Sequence, residues 1–243
     1  MNLEQQVKHL DKHYRDGNAL VSDKEFDILE KQLLAINPDS DYFTNRDALP
    51  LPSLEKDPIE DFLDGLDQDE QIVIEPKIDG CAVAIEYRNG KINHAITRKG
   101  KDITDKMIRI RTVPLTVPTK DTIQVRGELY AQKECGSISQ RMASGYIRSK
   151  TLDPNPKLTF CAFQIINAKL DHVYVLQYLE KLNFKTPIWI YTNIRLLEEY
   201  KTRYEKGQLE MNNLYPTDGI VVKIDDYKLQ QTRPDYWQMA IKY

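Results

Sequence analysis

The dipeptide Asn89-Gly90 constrains the fold of this chain more tightly than any other local feature. It lies between two short apolar-rich runs, Ala82 to Tyr87 and Ile92 to Thr97. Asn-Gly supplies the two consecutive left-handed residues of a type I′ turn, whose twist matches that of paired strands. The segment therefore predicts an antiparallel hairpin. Further strands are expected at Thr122 to Tyr130, Leu158 to Ile166 and Gly219 to Ile224. Helical segments fall between them, near Val173 to Leu182 and Ile194 to Lys206. No regular strand–helix–strand alternation and no internal repeat is visible. The expected class is α+β, with mixed or antiparallel sheets and flanking helices.

The first 38 or so residues have a different period. Leu3, Val7, Leu10 and Tyr14 recur at steps of three and four, the stripe of an amphipathic helix. A break at Asp16-Gly17-Asn18 follows, and Ser22-Asp23-Lys24-Glu25 reads as a capping box opening a second helix. Phe26, Leu29, Leu33 and Ile36 give that helix its apolar face, and Pro38 ends it. Two helices are too little to fold alone, so they form a cap that docks on something else. Residues 39 to 70 are acidic and carry Pro50, Pro52 and Pro58, which reads as an irregular connection. The expected division is a helical cap over residues 1–50 and a larger domain over residues 51–243.

Composition narrows the class of protein. At 243 residues, with 41% hydrophobic and 29% charged, the chain has the make-up of a globular protein with a real core. It has no long apolar run and no basic and apolar leader at Met1 to Gln5, so a cytoplasmic protein is expected. Cys81, Cys135 and Cys161 are scattered and odd in number, which argues against a disulfide framework or a structural zinc site. No metal-ligating set is assigned. A net charge of -3 does not suit a protein that coats duplex DNA, so any nucleic-acid contact would need a local basic patch or a partner.

Chemistry is concentrated at Glu75-Pro76-Lys77-Ile78-Asp79-Gly80, which follows the buried-strand run Ile72-Val73-Ile74. A lysine amine attacks only when deprotonated, and neighbouring charges can hold and activate it. The same four letters K-x-D-G also fit an ordinary exposed connection between strands.

Other segments, in order, make the reading specific. Leu51-Pro52-Ser53-Leu54, Thr97-Arg98, Val125-Arg126-Gly127-Glu128, Asp218-Gly219-Ile220-Val221-Val222-Lys223 and Trp237 to Tyr243 accompany the Lys77 segment. With them, nearly the whole chain resembles the N-terminal part of an NAD-dependent DNA ligase. That resemblance implies a helical cap for the nicotinamide mononucleotide (NMN) half of NAD and a nucleotidyltransferase domain that takes AMP onto a lysine. It implies Lys77 as nucleophile with Asp79 beside it, and Glu75 at the adenine edge. Ser53 and Leu54 would lie along the adenosine, with Arg98 on the nucleotide. Glu128 would sit near the ribose and a magnesium ion, with Lys223 and Lys242 on the phosphate. Cations such as Arg98, Lys223 and Lys242 can take the charge that builds on phosphoryl oxygens, and they favour a neutral attacking amine.

In the cap, the resemblance assigns His13, Tyr14, Asp23, Phe26 and Asp27 to the nicotinamide half. His13-Tyr14 stand in the reverse of the family's usual order, and Phe26 replaces a usual tyrosine, so it can stack but not donate a hydrogen bond. Phe26 also fits the apolar face of its own helix. Arg141, Arg148 and Lys150, around Ser144-Gly145-Tyr146, form a basic stretch expected to be a loop that touches cofactor phosphate or DNA backbone.

The implied activity is the adenylation step of a DNA ligase of replication or repair. NAD and Mg2+ are the expected cofactors, and nicked DNA is reached weakly through further domains or a second subunit. The isolated chain would be a monomer. Two alternatives share part of the pattern: an ATP-dependent ligase or capping-type nucleotidyltransferase, and a non-catalytic nucleotide-binding subunit.

Overall fold

The computed structural model describes residues 2–15, 20–37, 40, 42, 59–132, 138–166, 168–233 and 237–243. Two helices come first, α1 (Leu3–Arg15) and α2 (Asp23–Ile36). The capping box forms as its letters require: Ser22 Oγ accepts the Glu25 amide at 3.3 Å, and Glu25 Oε2 accepts the Ser22 amide at 2.9 Å. Val7, Leu10, Phe26, Leu33 and Tyr42 make a small core of their own. The expected apolar face of α2 is wrong at one end. Ile36 is 76% exposed, because it is the last helical residue and faces outward beyond that core. Ser53, Leu54 and Pro38 lie outside the described residues, as do the side chains of Tyr14, Asp23 and Asp27.

A short helix, α3 (Ile59–Leu63), replaces part of the connection expected to be irregular, because Phe62 anchors it at 1% exposure. Then come β1 (Gln71–Ile78), β2 (Cys81–Arg88), β3 (Lys91–Thr97), α4 (Thr104–Met107), β4 (Ile123–Ala131) and α5 (Ser139–Arg148). The chain continues with β5 (Leu158–Ile165), α6 (His172–Lys181), β6 (Ile190–Asn193), α7 (Leu197–Glu205) and α8 (Met211–Leu214). It ends with β7 (Thr217–Ile224), α9 (Tyr227–Thr232) and β8 (Gln238–Lys242). The α+β expectation holds. The hairpin turn is the one Asn-Gly predicts, with φ of 50° at Asn89 and 75° at Gly90.

The strands form two four-stranded antiparallel sheets, ordered β6-β1-β7-β8 and β3-β2-β4-β5. One core lies on the outer side of the second sheet, joining Val83, Val125 and Phe160 to Leu179 of α6. The other core centres on the first sheet, with Ile72, Ile74 and Val222, and draws in Tyr130 and Cys161 from the second sheet. Those two residues belong to the face of the second sheet that looks toward the first. Side chains alternate along a strand, so Glu128 and Arg126 share the Tyr130 face of β4. The ladder between β4 and β2 is unbroken there, with Glu128 opposite Ala82 and Arg126 opposite Ala84.

Pro76 lies beyond Ile74, the last residue of β1 paired with β6, and faces only β7, opposite Ile220, so a missing amide hydrogen is tolerated there. The register with β7 shifts immediately after it, between Pro76 and Ile78. Lys77 therefore leaves the sheet at an irregularity, a common way to re-aim a side chain.

Two motif glycines are required by close approach rather than by unusual dihedrals. A Cβ on Gly80 would lie 2.4 Å from the Leu129 carbonyl oxygen, and one on Gly219 would lie 2.0 Å from that of Ile241. Gly219 is the direct partner of Lys242. Gly219→Ala is expected to force β7 and β8 apart and cost about 1–3 kcal/mol. It should also slow any reaction that needs Lys242 in place. Urea unfolding of both proteins checks the first part; equal midpoints would contradict it.

Candidate active site

The Lys77 amine donates to Asp218 Oδ1 at 2.7 Å, and the Lys242 amine donates to Asp218 Oδ2, also at 2.7 Å. One carboxylate at the start of β7 thus holds a lysine from β1 and a lysine from β8. Part-burial opposes the Asp218 charge, but the hydrogen bonds from Lys242 and Lys77 outweigh it and hold the carboxyl below its usual range. The same contact, through its hydrogen bond and charge, raises Lys242 above the ordinary lysine value.

Asp79 and Glu128 complete this end. The Asp79 amide donates to the Pro216 carbonyl at 2.7 Å, and the Asp79 carbonyl accepts the Ser139 hydroxyl at 3.1 Å. Ser139 is fully buried at the start of α5; its Oγ accepts the Ala131 amide and its one proton is shared between the Asp79 and Ala131 carbonyls, both at 3.1 Å. It therefore ties the Asp79-Gly80 turn to the end of β4. Burial pushes the Glu128 carboxyl up to about 8; Lys77 pulls it down, the Asp79 charge raises it, the Gly80 amide pulls it down and the Asp218 charge raises it. Burial, the Glu128 charge and the Asp79 charge likewise push the Cys81 thiol up to about 11 despite Arg148, which leaves it an inert thiol at neutral pH.

The Glu128 shift has a consequence for stability. Between about 4.5, its ordinary value, and about 8, the folded chain keeps a proton that the unfolded chain has released. Unfolding thus becomes easier as pH rises through that window. Glu128→Gln, which is neutral at every pH, should match the parent near pH 5 and exceed it by roughly 1–3 kcal/mol near pH 8. Denaturant titrations at the two pH values test this, and parallel stability curves would contradict it.

A second cluster lies two residues back along β1. Glu75 is 3% exposed and accepts the Lys223 amine on both oxygens at 2.9 Å. Its Oε1 also meets His172 Nε2, and Lys223 lies 3.2 Å from that same nitrogen. Burial works against the Glu75 charge, but Lys223 and then His172 outweigh it and keep the carboxyl below its usual range. Burial first, and the Lys223 charge second, hold His172 down, so it is a neutral imidazole donating from Nε2 to Glu75. The Lys223 amine also lies 4.9 Å from the centre of the Phe163 ring, at the β5 irregularity.

The structure therefore separates residues that the sequence groups together. Lys77, Asp79, Glu128 and Lys242 meet around Asp218. Lys223, expected beside Lys242 on a phosphate, is instead held in the buried pair with Glu75. Arg98 is exposed in the turn after β3. Phe26 is 7% exposed in the cap's own core, and the His13 ring stands edge-on to His9 at 4.6 Å. The basic stretch expected to be a loop is helix α5. Ala143, Tyr146 and Ile147 give it a buried face, and Lys106 bonds the carbonyls of Tyr146 and Ser149 at its C-terminal end. Arg141 and Arg148 stand seven residues apart on its exposed side. Asp218, His172, Ser139 and Phe163 were missed. Asp218 could have been found as the acidic half of an Asp-Gly pair; nothing marks the other three.

Two antiparallel sheets, with a lysine leaving one beside a carboxylate of its neighbouring strand, make up the nucleotidyltransferase class of fold and site. The model of the NAD-dependent DNA ligase adenylation domain matches residues 53–243, and the chain belongs to that family. The chain is 25% identical over 293 aligned residues to a DNA ligase of Mycoplasma genitalium, covering 98% of this chain and 44% of that protein. It is 30% identical over 223 residues to a DNA ligase of Francisella tularensis subsp. holarctica, covering 76% of this chain and 32% of the other. The chain spans less than half the length of these relatives. Among solved structures, it resembles one described as Pmar-Lig_Pre, with a TM-score of 0.55 at 13% identity over 93% of this chain and 52% of that one. It also resembles an archaeal ATP-dependent RNA ligase, with a TM-score of 0.52 at 14% identity over 80% of this chain and 48% of the other. At these identities the likeness is one of fold.

Proposed function

We propose that this chain carries out the self-adenylation step of an NAD-dependent DNA ligase. The observation that carries the reading is the Lys77 amine, held 2.7 Å from a carboxylate that also binds Lys242. The lysine nitrogen attacks the α-phosphorus of NAD. The N–P bond forms as the bridging P–O bond breaks, NMN leaves with the electron pair, and the amine proton passes to Asp218 and on to solvent. Lys242 stands beside the nucleophile to take charge building on the phosphoryl oxygens. Lys223 joins it once the nucleotide draws that amine from Glu75. The cap, residues 1–50, holds the NMN half, with His13, Tyr14, Asp23, Phe26 and Asp27 as its contacts. Ser53, Leu54, Glu75 and Arg98 hold the adenosine.

Magnesium fits this site as a shared ligand. Among the described residues no group of three or more acidic, histidine or cysteine side chains could hold a metal alone. Mg2+ commonly binds one or two carboxylates together with substrate phosphates and water, and Asp79 and Glu128 supply such a pair. When bound, it supplies charge for the phosphates. AMP then passes to the 5′-phosphate of nicked DNA, and the 3′-hydroxyl displaces it. That later chemistry uses further domains or a second subunit, consistent with relatives more than twice as long and with the net charge of -3. The reading takes the enzyme as cytoplasmic and monomeric; among the described residues no helix is long and apolar enough to cross a membrane.

Incubation with adenylate-labelled NAD, ATP or guanylate-labelled GTP, each with magnesium, tests the reading. Label is expected from NAD alone. Label from ATP or GTP but not from NAD would overturn the choice of cofactor, and label from none would make the chain a non-catalytic nucleotide binder.

A further inference from the structure

Asp218 can hold Lys77 and Lys242 in place only if its own backbone is fixed, and the lysines do not fix it. The ladder alone does not either, because the register of β1 with β7 shifts beside it, between Pro76 and Ile78. Asp218 is the second residue of β7, and strand ends fray unless something holds them. The Thr217 hydroxyl donates to the Gly219 carbonyl at 2.6 Å, so the residue before Asp218 is tied to the residue after it.

A tyrosine outside every motif holds that local ring. The Thr217 hydroxyl accepts the Tyr204 hydroxyl at 3.1 Å. Tyr204 is the penultimate residue of α7 and is 6% exposed in the core of the first sheet. Burial above all pushes its hydroxyl over the ordinary tyrosine value, so it stays a neutral donor. Its ring also lies against that of Tyr243, with centroids 5.1 Å apart and planes at 33°. Tyr243 directly follows Lys242, and its amide donates to the Asp218 carbonyl at 3.3 Å. One buried side chain thus meets the residue just before Asp218 and the residue just after Lys242. Its own place is secured from behind: the Tyr204 carbonyl accepts Asn212 Nδ2 at 3.1 Å, which pins the end of α7 to α8.

We propose that Tyr204 is a positioning residue for the lysine chemistry, setting the Asp218 carboxylate and the Lys242 amine against Lys77. Its hydroxyl acts through Thr217 and its ring through Tyr243. The proposal rests on the adenylation reading above and adds a residue that neither NAD nor the nucleophile needs to touch. A misplacement of about 1 Å at a reacting group can cost up to about a hundredfold in rate. The groups assigned to NAD itself lie elsewhere, so the loss should fall on kcat rather than on KM.

The test measures kcat and KM for lysyl-AMP formation from NAD, beside the melting temperature of each protein. Tyr204→Phe keeps the ring and its packing and removes only the hydroxyl. Its kcat is expected to fall about tenfold, with KM for NAD within about twofold of the parent. Its melting temperature should drop by no more than about 2–4 °C, so the loss is not one of folding. Thr217→Val should match that loss of kcat from the other side of the hydrogen bond, and Thr217→Ser, which keeps the hydroxyl, should restore the parental kcat to within about threefold. Tyr204→Phe/Thr217→Val should be no slower than Thr217→Val alone, because the two hydroxyls act as one unit. Tyr243→Ala should lower kcat as well, with Tyr243→Phe restoring it through the stacked ring. Parental kcat in Tyr204→Phe overturns the assignment, as does a rise in KM with kcat unchanged. Losses that multiply in the double variant overturn the route through Thr217, and parental kcat in Tyr243→Ala overturns the route through Tyr243. No adduct from NAD with the parent protein overturns the adenylation reading itself, and the positioning role with it.

Discussion

Lys77→Arg is expected to abolish covalent AMP, with a loss on the order of 10⁴-fold or more, as when other enzymes lose their nucleophile. Arginine keeps the positive charge and can still meet Asp218, but its guanidinium stays protonated and offers no lone pair for attack. The substitution therefore separates electrostatics from nucleophilicity. Lys77 is only partly buried, with its side chain at 23% exposure, so the folded state should survive with a change of less than about 1 kcal/mol. Non-covalent NAD binding should survive as well, because the binding groups around Lys242, Glu75 and Lys223 are untouched. The expected result is a folded, NAD-binding protein that never becomes labelled. Labelling at the parental rate would place the nucleophile elsewhere.

The second large effect concerns stability. Lys223→Met should destabilise the chain by about 3–5 kcal/mol, because it leaves the Glu75 carboxylate buried with only neutral His172 beside it. For a chain of this size that is a fall of roughly 10 °C in melting temperature. Glu75→Gln should cost a similar amount by stranding Lys223. The double variant Glu75→Gln/Lys223→Met should recover most of the loss, since a buried pair replaced as a whole is often near neutral. Thermal unfolding of the four proteins gives the coupling directly. Additive losses would show that the pair does not act as a unit in the fold.

The same pair bears on mechanism. Lys223 cannot contact a phosphate while both oxygens of Glu75 hold its amine at 2.9 Å. A nucleotide arriving in the groove would have to take one of the two groups from the other, and the buried, water-poor setting makes that exchange selective. The arrangement around Asp218 is more open, with the Lys242 side chain half exposed, and it can reorganise at little cost.

The strands were legible in the sequence where one property decides them. Asn89-Gly90 dictates its turn whatever surrounds it, and the Ile72-Val73-Ile74 run can only be a buried strand in a chain this polar. Asp218 was brought to Lys77 by a strand pairing across 141 residues of chain, which no local pattern encodes, and Lys242 follows through β8, 24 residues beyond Asp218. Basic residues and a central Ser-Gly pair made α5 look like a loop. Packing of Ala143, Tyr146 and Ile147 overrides that local signal, as tertiary context commonly does. His172 carried no signal at all: its role follows from where α6 starts relative to Glu75, a consequence of the sheet order.

One measurement addresses the central claim most directly. The protein is incubated with NAD and magnesium, its intact mass is recorded, and the modified peptide is mapped. The account predicts a gain of one adenylate per chain, located on the Lys77 amine, with NMN released in equal amount. An adenylate on any other residue, or NMN release without a covalent adduct, would contradict it.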